Sequence, residues 1–124
     1  MRAVWAAADS PPTVTDDDVA VRTLLERDPE ALLVADDEGR IVGTIVAAFD
    51  GWRGNLYRAA VVHERRREGV ALMLVAEGER RLRARGARRV AAIVLDAERD
   101  ATGFWAAAGY TRDDHVRRFV KNLA

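Results

Sequence analysis

The residues best suited to chemistry stand where an apolar run gives way to a basic turn and then to a helix. Residues 59–62 are small or β-branched and predict the end of a buried strand. Three consecutive arginines follow at 65–67, and Gly69 then opens a segment with helical apolar spacing. The first turn of a helix leaves backbone N–H groups unpaired, and its dipole favours negative charge. This order of features therefore predicts a phosphate-binding turn.

The same stretch also has a purely structural explanation, because strand–loop–helix units with solvated arginines occur in many α/β proteins. The turn is not a Walker loop, since no Gly-Lys-Ser/Thr follows, and the glycines of a dinucleotide fingerprint are missing. In the phosphate interpretation, Gly69 lets the backbone approach an anion because it has no Cβ. The side chains of Arg66 and Arg67 add charge-assisted hydrogen bonds in that interpretation.

The spacing R-x-x-G-x-A at residues 66–71 resembles the acetyl-CoA motif of the GNAT superfamily of N-acetyltransferases, Gln/Arg-x-x-Gly-x-Gly/Ala. A second signature lies downstream, where Phe-Trp at 104–105 is followed by Gly-Tyr at 109–110. The aromatic residues stand at the distance that the superfamily shows, and the resemblance covers roughly residues 15–120. Together the two motifs are a much more specific signal than the first alone.

The resemblance implies an α+β fold with a mixed β-sheet in a single domain of residues 1–124. The superfamily's fourth and fifth strands, here residues 55–62 and 90–95, splay apart and receive the pantetheine arm of acetyl-CoA. The superfamily's first strand would lie upstream of residue 1, so either the true gene start is earlier or the protein lacks that strand. The residue pattern agrees, since strands and helices alternate in the middle, and hairpins are predicted at 31–49 and 110–120.

Helix-end signals give the expected limits of two helices. Thr15 is the predicted N-cap of the first helix, because acidic residues follow at 16–18. The helix that opens at Gly69 is expected to end at Gly86, a left-handed C-cap glycine. The arginines at 80–85 suit the negative end of that helix dipole and are expected at the surface.

The resemblance assigns acetyl-CoA contacts to the strand end, the basic turn and two later positions. The backbone N–H of Val61 would polarise the thioester carbonyl, and N–H groups of residues 66–71 would hold the pyrophosphate. Glu98 stands where the superfamily commonly has asparagine. Trp105 stands where it often has the tyrosine that protonates the thiolate. The implied contacts are Val61, Val62, Arg66, Arg67, Glu68, Gly69, Val70, Ala71, Glu98 and Trp105.

Two side chains are candidates for the catalytic base. No protein nucleophile is needed, because the amine attacks the thioester directly. Asp96 follows the strand predicted at 90–95, and Tyr57 lies on the strand before it, so both have the position of a base. Asp96 also fits a helix-start carboxylate, and Tyr57 also fits simple packing. His63 is expected at the surface, and Trp52 is either a substrate contact or a cap on the core.

Composition narrows the possible partners. Twenty Lys and Arg balance twenty Asp and Glu, so neither nucleic acid nor an anionic membrane is expected as a partner. The absence of cysteine excludes thiolate metal sites and a cysteine nucleophile, and no metal site is predicted. No apolar run reaches transmembrane length, and no signal-peptide pattern opens the chain. A cytoplasmic protein is therefore expected.

The sequence thus predicts an acetyl-CoA-dependent N-acetyltransferase whose acceptor is a primary amine of a small molecule or a protein. The alternative is a CoA- or acyl-CoA-binding sensor or interaction protein without turnover, which the missing first strand and the absent tyrosine favour. The strand at 31–35 lacks its usual neighbour in this fold. An uncovered apolar edge is an association hazard, so a homodimer is one expected way of covering it.

Overall fold

A computed structural model describes residues 17–66, 68–93 and 99–123, and only the backbone of residues 99–102. The chain divides into two compact units between Ile93 and Val94. The expectation that residues 1–124 form one domain stays a prediction. No helix in these described ranges is long and apolar enough to cross a membrane.

The first unit places three consecutive strands between its two α-helices, and a fourth strand follows the second helix. Its elements are helix α1 (Asp18–Arg27), strands β1 (Leu32–Asp37), β2 (Arg40–Phe49) and β3 (Gly54–Val61), a 3₁₀ turn (His63–Arg65), helix α2 (Val70–Ala84) and strand β4 (Val90–Ala92). The second unit contains helix α3 (Arg99–Ala107).

The four strands form one mixed sheet in the order β1-β2-β3-β4. The β1–β2 and β2–β3 pairs are antiparallel, whereas β4 runs parallel to β3. The predicted α+β class and mixed sheet are therefore confirmed. Within the described residues β1 is an outer strand, and self-association through it stays a prediction. Strand β4 covers Val90–Ala92 of the predicted strand 90–95, Ile93 is described outside it, and residues 94 and 95 lie outside the described ranges.

Helix α2 packs closely on the sheet because small residues lie beneath it. A Cβ added to Gly43 would lie 3.0 Å from side-chain carbons of Val70 and Leu74, near the start of the helix. A Cβ added to Gly54 would lie 2.7 Å from Leu82, near its end. Each large apolar side chain buried in this layer stabilises the fold by about 1.5–3 kcal/mol. The largest fully buried side chains are Ile45, Leu56, Leu82 and Thr44.

The acidic run near residue 16 does open a helix, but the N-cap is Asp17 rather than Thr15. The Asp17 carboxylate accepts a hydrogen bond from the N–H of Ala20 at 2.8 Å. Asp18 follows in the first turn, where negative charge suits the helix dipole. Asp is a stronger N-cap than Thr, so the cap falls within the acidic run instead of before it.

One arginine that was expected at the surface is buried. The Arg81 side chain is 7% exposed, donates to the Ala47 carbonyl at 2.7 Å and pairs with the Asp28 carboxylate. The contact joins α2 to β2 and to the loop after α1. Arg80 is exposed and pairs with Glu77 as predicted for a surface residue. The burial of Arg81 depends on a partner distant in sequence, which helix periodicity alone cannot show.

The aromatic signature of the second unit closes helix α3. The N–H of Tyr110 donates to the Trp105 carbonyl at 2.9 Å, and that of Gly109 to the Ala106 carbonyl at 3.1 Å. This pair of bonds requires a left-handed residue after the helix, and Gly109 has a φ of +95°. The turn brings the Tyr110 ring edge-on against Trp105, with the ring centroids 5.0 Å apart. Phe104 contacts the same indole at 5.1 Å.

The hairpin predicted at 110–120 is wrong, because the described residues 110–123 contain no strand. Val116, Phe119 and Val120 in this segment are exposed. A hairpin needs two strands that satisfy each other's backbone groups, and alternating side chains alone do not supply that ladder.

Candidate functional site

The end of β3 presents the backbone of Val61 away from β2. The N–H of Val62 donates to the Val42 carbonyl at 2.9 Å, so the next pair of the ladder, Gly43 and Val61, is of the non-hydrogen-bonded type. The N–H and C=O of Val61 therefore point to the β4 side of β3. Among the described residues β4 pairs only with Gly54–Leu56. Residues 94–98, which follow β4 along the chain, lie outside the described ranges, so the expected splay of the two strands stays a prediction.

A β-bulge in β3 lies just beyond Leu56, the last residue of β3 that pairs with a described residue of β4. Arg58 and Ala59 together stand opposite the single residue Ile45 of β2. Arg58 has a φ of +55°, the left-handed conformation found at the first residue of one bulge type. One extra residue reverses the alternation of the strand. Without the bulge the Val61 N–H would face β2, so the bulge is what directs it towards β4.

Helix α2 begins with backbone donors and without a side-chain cap from the described residues. Its N-cap is Gly69 with a φ of +81°, a conformation that favours glycine. The first helical bond runs from Met73 N–H to the Gly69 carbonyl, so the N–H groups of Val70, Ala71 and Leu72 have no partner within the helix. A Cβ on Gly69 would meet no described atom within 4 Å. Among the described residues, the helix start therefore combines three N–H groups without a helical partner and an open Cβ position at Gly69.

Ion pairs hold the turn before α2 against the β1–β2 hairpin. Arg65 pairs with Asp37 of β1 and with Glu68, and Arg40 of β2 pairs with Glu64. The hydrogen bond to Asp37, and after it that to Glu68, raises the pKa of Arg65. The single positive charge of Arg65 is shared between Asp37 and Glu68, so it offsets only part of the negative charge next to the helix start.

The Arg66 side chain folds back onto the end of β3. Its Nε lies 3.3 Å from the Val61 carbonyl oxygen, and its Nη1 lies 3.2 Å from Nδ1 of the exposed His63. The backbone N–H of Arg66 donates to the His63 carbonyl at 3.2 Å within the 3₁₀ turn. The Arg66 N–H, which was expected among the pyrophosphate donors, thus already has a backbone partner. Arg67 lies outside the described residues.

The remaining predicted site residues fall in different parts of the chain. Tyr57 is half-buried on β3, just before the bulge, and Val62 is buried at the end of the strand. Trp105 is buried within the second unit. Asp96 and Glu98 lie outside the described residues, so their predicted roles stay predictions.

Trp52 lies in the loop between β2 and β3, at the opposite end of β3 from Val61. The prediction that it caps the core is wrong, because the indole is 71% exposed. The Arg53 guanidinium lies over its ring, 4.0 Å from the centroid. The backbone N–H groups of both residues donate to the Asp50 carboxylate, at 2.8 and 2.7 Å. These bonds, that from Arg53 first, lower the pKa of Asp50.

The bulge and the buried hydroxyl beside it are the parts of the site that sequence reasoning missed. Thr44 of β2 is fully buried, and its Oγ1 lies 3.4 Å from the carbonyl oxygen of Arg58 in the bulge. A buried polar residue inside the apolar β2 run is the sequence signal that was available. That signal does not reveal which partner the hydroxyl serves, since the partner lies on another strand.

Comparisons with known proteins agree with this geometry. The profile of the Acetyltransferase (GNAT) family matches residues 1–110. An acetyltransferase of Photorhabdus laumondii is 37% identical over 99 residues, which are 80% of this chain and 68% of that protein. The fold is similar to that of an aminoglycoside acetyltransferase from an uncultured soil metagenomic sample, with a TM-score of 0.77 and 19% identity over 99% of this chain and 85% of that one.

A second structure with the same fold is the aminoglycoside N-acetyltransferase AAC(6')-Iy in complex with CoA. Its TM-score is 0.72, with 19% identity over 98% of this chain and 84% of that one. At such identity the two structures establish the fold, while the profile match and the Photorhabdus relative establish the family. The chain belongs to the GNAT family of acetyltransferases and is an acyltransferase.

Proposed function

We propose that the protein transfers the acetyl group of acetyl-CoA to a primary amine by direct attack in a ternary complex. A C–N bond forms as the C–S bond breaks, and the electron pair leaves on the CoA sulfur. The observation that carries the proposal is the start of α2 at Gly69, where the described residues supply no side-chain cap and leave the Cβ position of the glycine open. This is the arrangement that binds phosphate at a helix N-terminus.

Backbone N–H groups would serve two roles: some would bind the pyrophosphate of the cofactor, and one would polarise the thioester carbonyl. The N–H groups of Val70, Ala71 and Leu72 would hold the pyrophosphate, aided by the helix dipole. When bound, acetyl-CoA supplies an acetyl group activated as a thioester. The Val61 N–H, which the bulge turns towards β4, would donate to the carbonyl oxygen and stabilise the negative charge that develops there.

The cofactor contacts assigned by resemblance to Val62, Arg67, Glu68 and Glu98 remain part of this proposal. Trp105 would pack along the pantetheine arm. Because its indole does not ionise in the relevant range, the departing thiolate would take its proton from water or from the substrate.

Asp96 and Tyr57 are the two candidates for the base that removes the proton of the amine. Tyr57 is half-buried on the strand that carries Val61. Both side chains need reach to the amine, directly or through one water. The acceptor amine belongs to a small molecule or to a protein, and aminoglycosides are one class to test because two proteins of similar fold are aminoglycoside acetyltransferases.

The experiment is a panel of amines incubated with acetyl-CoA, with thiol release followed by a chromogenic reagent and products identified by mass. The panel covers aminoglycosides, polyamines, amino acids, peptide N-termini and peptide lysines, with alcohols of matched size as controls. Turnover with amines and not with alcohols supports the proposal. Tight CoA binding in calorimetry without turnover on the whole panel contradicts it and favours the CoA-binding sensor.

A further inference from the structure

We propose that Thr44 is a positioning residue for this reaction, whose hydroxyl holds the β3 bulge in the form that turns the Val61 N–H towards β4. The proposal rests on the proposed function and adds a β2 residue that touches neither reacting group. Thr44 acts through the backbone of the neighbouring strand.

The location of Thr44 in the β2–β3 ladder is the first support. Thr44 pairs with Ala60, the first regular pair after the bulge on the side of Val61. Its side chain is fully buried, and its Oγ1 donates to the Arg58 carbonyl at 3.4 Å. A buried hydroxyl is costly unless it is hydrogen-bonded, and valine would fill the same volume. The contact with the Arg58 carbonyl gives this buried hydroxyl a partner in the bulge, which valine would not have.

The bulge itself needs support from its surroundings. Arg58 is one of two described residues other than glycine with a positive φ. A side chain disfavours that conformation, and such a residue persists only where neighbouring contacts enforce it. The competing arrangement is a regular ladder shifted by one residue, which would turn the Val61 N–H to β2. The Thr44 hydroxyl favours the bulged register, because its hydrogen bond to the Arg58 carbonyl forms only in that register. In the shifted ladder a different carbonyl would face the hydroxyl.

The first test compares Thr44→Val, which keeps the shape and removes the hydroxyl, with Thr44→Ser, which keeps the hydroxyl. Removing one oxyanion donor commonly lowers kcat by about 10²–10³-fold, and misplacing it should cost less, about tenfold in Thr44→Val. The Kd for CoA, which lacks the thioester carbonyl, should stay within about twofold because the start of α2 is unchanged. Thr44→Ser should recover most of kcat.

A second pair of variants separates backbone conformation from side-chain chemistry at the bulge. Arg58→Gly and Arg58→Val both lose the guanidinium, but only glycine accepts the left-handed conformation readily. Arg58→Gly should therefore have the higher kcat of the two, by about the factor that is lost in Thr44→Val. Equal kcat values in the two Arg58 variants would overturn the proposal.

A readout that does not need turnover is the backbone amide resonance of Val61 in the ligand-free protein. It should move in Thr44→Val and stay close to its original position in Thr44→Ser. An unmoved Val61 resonance in Thr44→Val, or losses of kcat and of CoA affinity in equal proportion, would leave Thr44 a packing residue and overturn the proposal. If the unmodified protein turns over no amine, the proposed function fails, while the resonance comparison still decides the role of Thr44.

Discussion

The Arg66 guanidinium donates from Nε to the carbonyl oxygen of Val61 over 3.3 Å. The N–H of the same peptide group, that of Val62, donates to the Val42 carbonyl of β2 at 2.9 Å. The end of β3 is therefore held from two directions, by the sheet and by the turn that leads into α2. The arginine of the motif therefore connects the turn before α2 to the backbone that, in the proposed function, polarises the thioester.

Replacing Arg66 should affect the reaction more than cofactor binding. Arg66→Lys keeps the charge but lacks the planar fork that reaches both Val61 and His63. We expect kcat to fall about fivefold, the equivalent of one ordinary hydrogen bond, while the calorimetric Kd for CoA changes little. Arg66→Gln is the matched neutral variant. A large loss of CoA affinity in Arg66→Gln that Arg66→Lys restores would instead show a direct phosphate contact.

Substitution of Gly69 by valine should abolish cofactor binding. The same substitution at Gly86 should cost about as much stability and serves as the control. Gly69 and Gly86 flank α2 with φ values of +81° and +100°, and a Cβ on either meets no described atom within 4 Å. Valine at either position should cost about 1–2 kcal/mol of stability, because its side chain disfavours the left-handed conformation. Urea unfolding measures that cost.

Only Gly69→Val should weaken CoA binding, by about 100-fold or more, since its side chain would occupy the space of the phosphate and several charge-assisted bonds are lost together. Calorimetric titration of both variants gives the comparison. The same CoA affinity in Gly69→Val and Gly86→Val would remove the start of α2 from the binding site.

The strand, turn and helix around Gly69 could be predicted because their signals are local. The β-branched run predicts the end of β3, and the apolar periodicity predicts α2. Gly86 is left-handed, as its place after the helix predicted. Each of these depends on residues a few positions apart, so single-sequence patterns contain the information.

The bulge and the buried ion pair could not be predicted because they depend on contacts between distant residues. One extra residue at Arg58 leaves the composition of the strand unchanged and is visible only from the register against β2. The burial of Arg81 requires Asp28, which is 53 residues away. The hairpin predicted at 110–120 was wrong for a related reason, since a strand pattern does not show whether a ladder forms.

The attachment of the turn to the β1–β2 hairpin should weaken in acid. The pKa of Glu64 is lowered by a hydrogen bond from its own backbone N–H and then by that from Arg40. A lowered folded-state pKa gives stabilisation that is present above the unfolded value, 4.5, and is lost as the pH falls through the folded value. Glu64→Gln keeps an acceptor but does not titrate.

The measurement is urea unfolding of the unmodified protein and of Glu64→Gln between about pH 6 and pH 3. Below the unfolded pKa, the free energy of unfolding should fall less steeply with decreasing pH in Glu64→Gln. Parallel curves for the two proteins would show that Glu64 contributes nothing to the pH dependence.

Trp105 should act through packing. Trp105→Phe keeps an aromatic ring beside Phe104 and Tyr110 and should keep most of kcat. Trp105→Ala should lower stability by about 3–5 kcal/mol, as for other buried large-to-small changes, and raise the KM for acetyl-CoA. Trp105→Tyr adds a hydroxyl able to protonate the thiolate and should raise kcat at neutral pH.

Steady-state kinetics and thermal unfolding of the three Trp105 variants provide the measurement. A collapse of kcat in Trp105→Phe at unchanged KM would contradict the packing role, because both side chains fill the site and neither ionises.

The most direct test of the central claim is an amide-resolved NMR titration with CoA and, separately, with acetyl-CoA. The amide resonances of Val70, Ala71 and Leu72 should shift with both ligands, because both carry the pyrophosphate. The Val61 resonance should move further with acetyl-CoA, because only that ligand presents a thioester carbonyl to its N–H. Unchanged resonances at the start of α2 under saturating ligand, or the same Val61 shift with CoA and acetyl-CoA, would contradict the account.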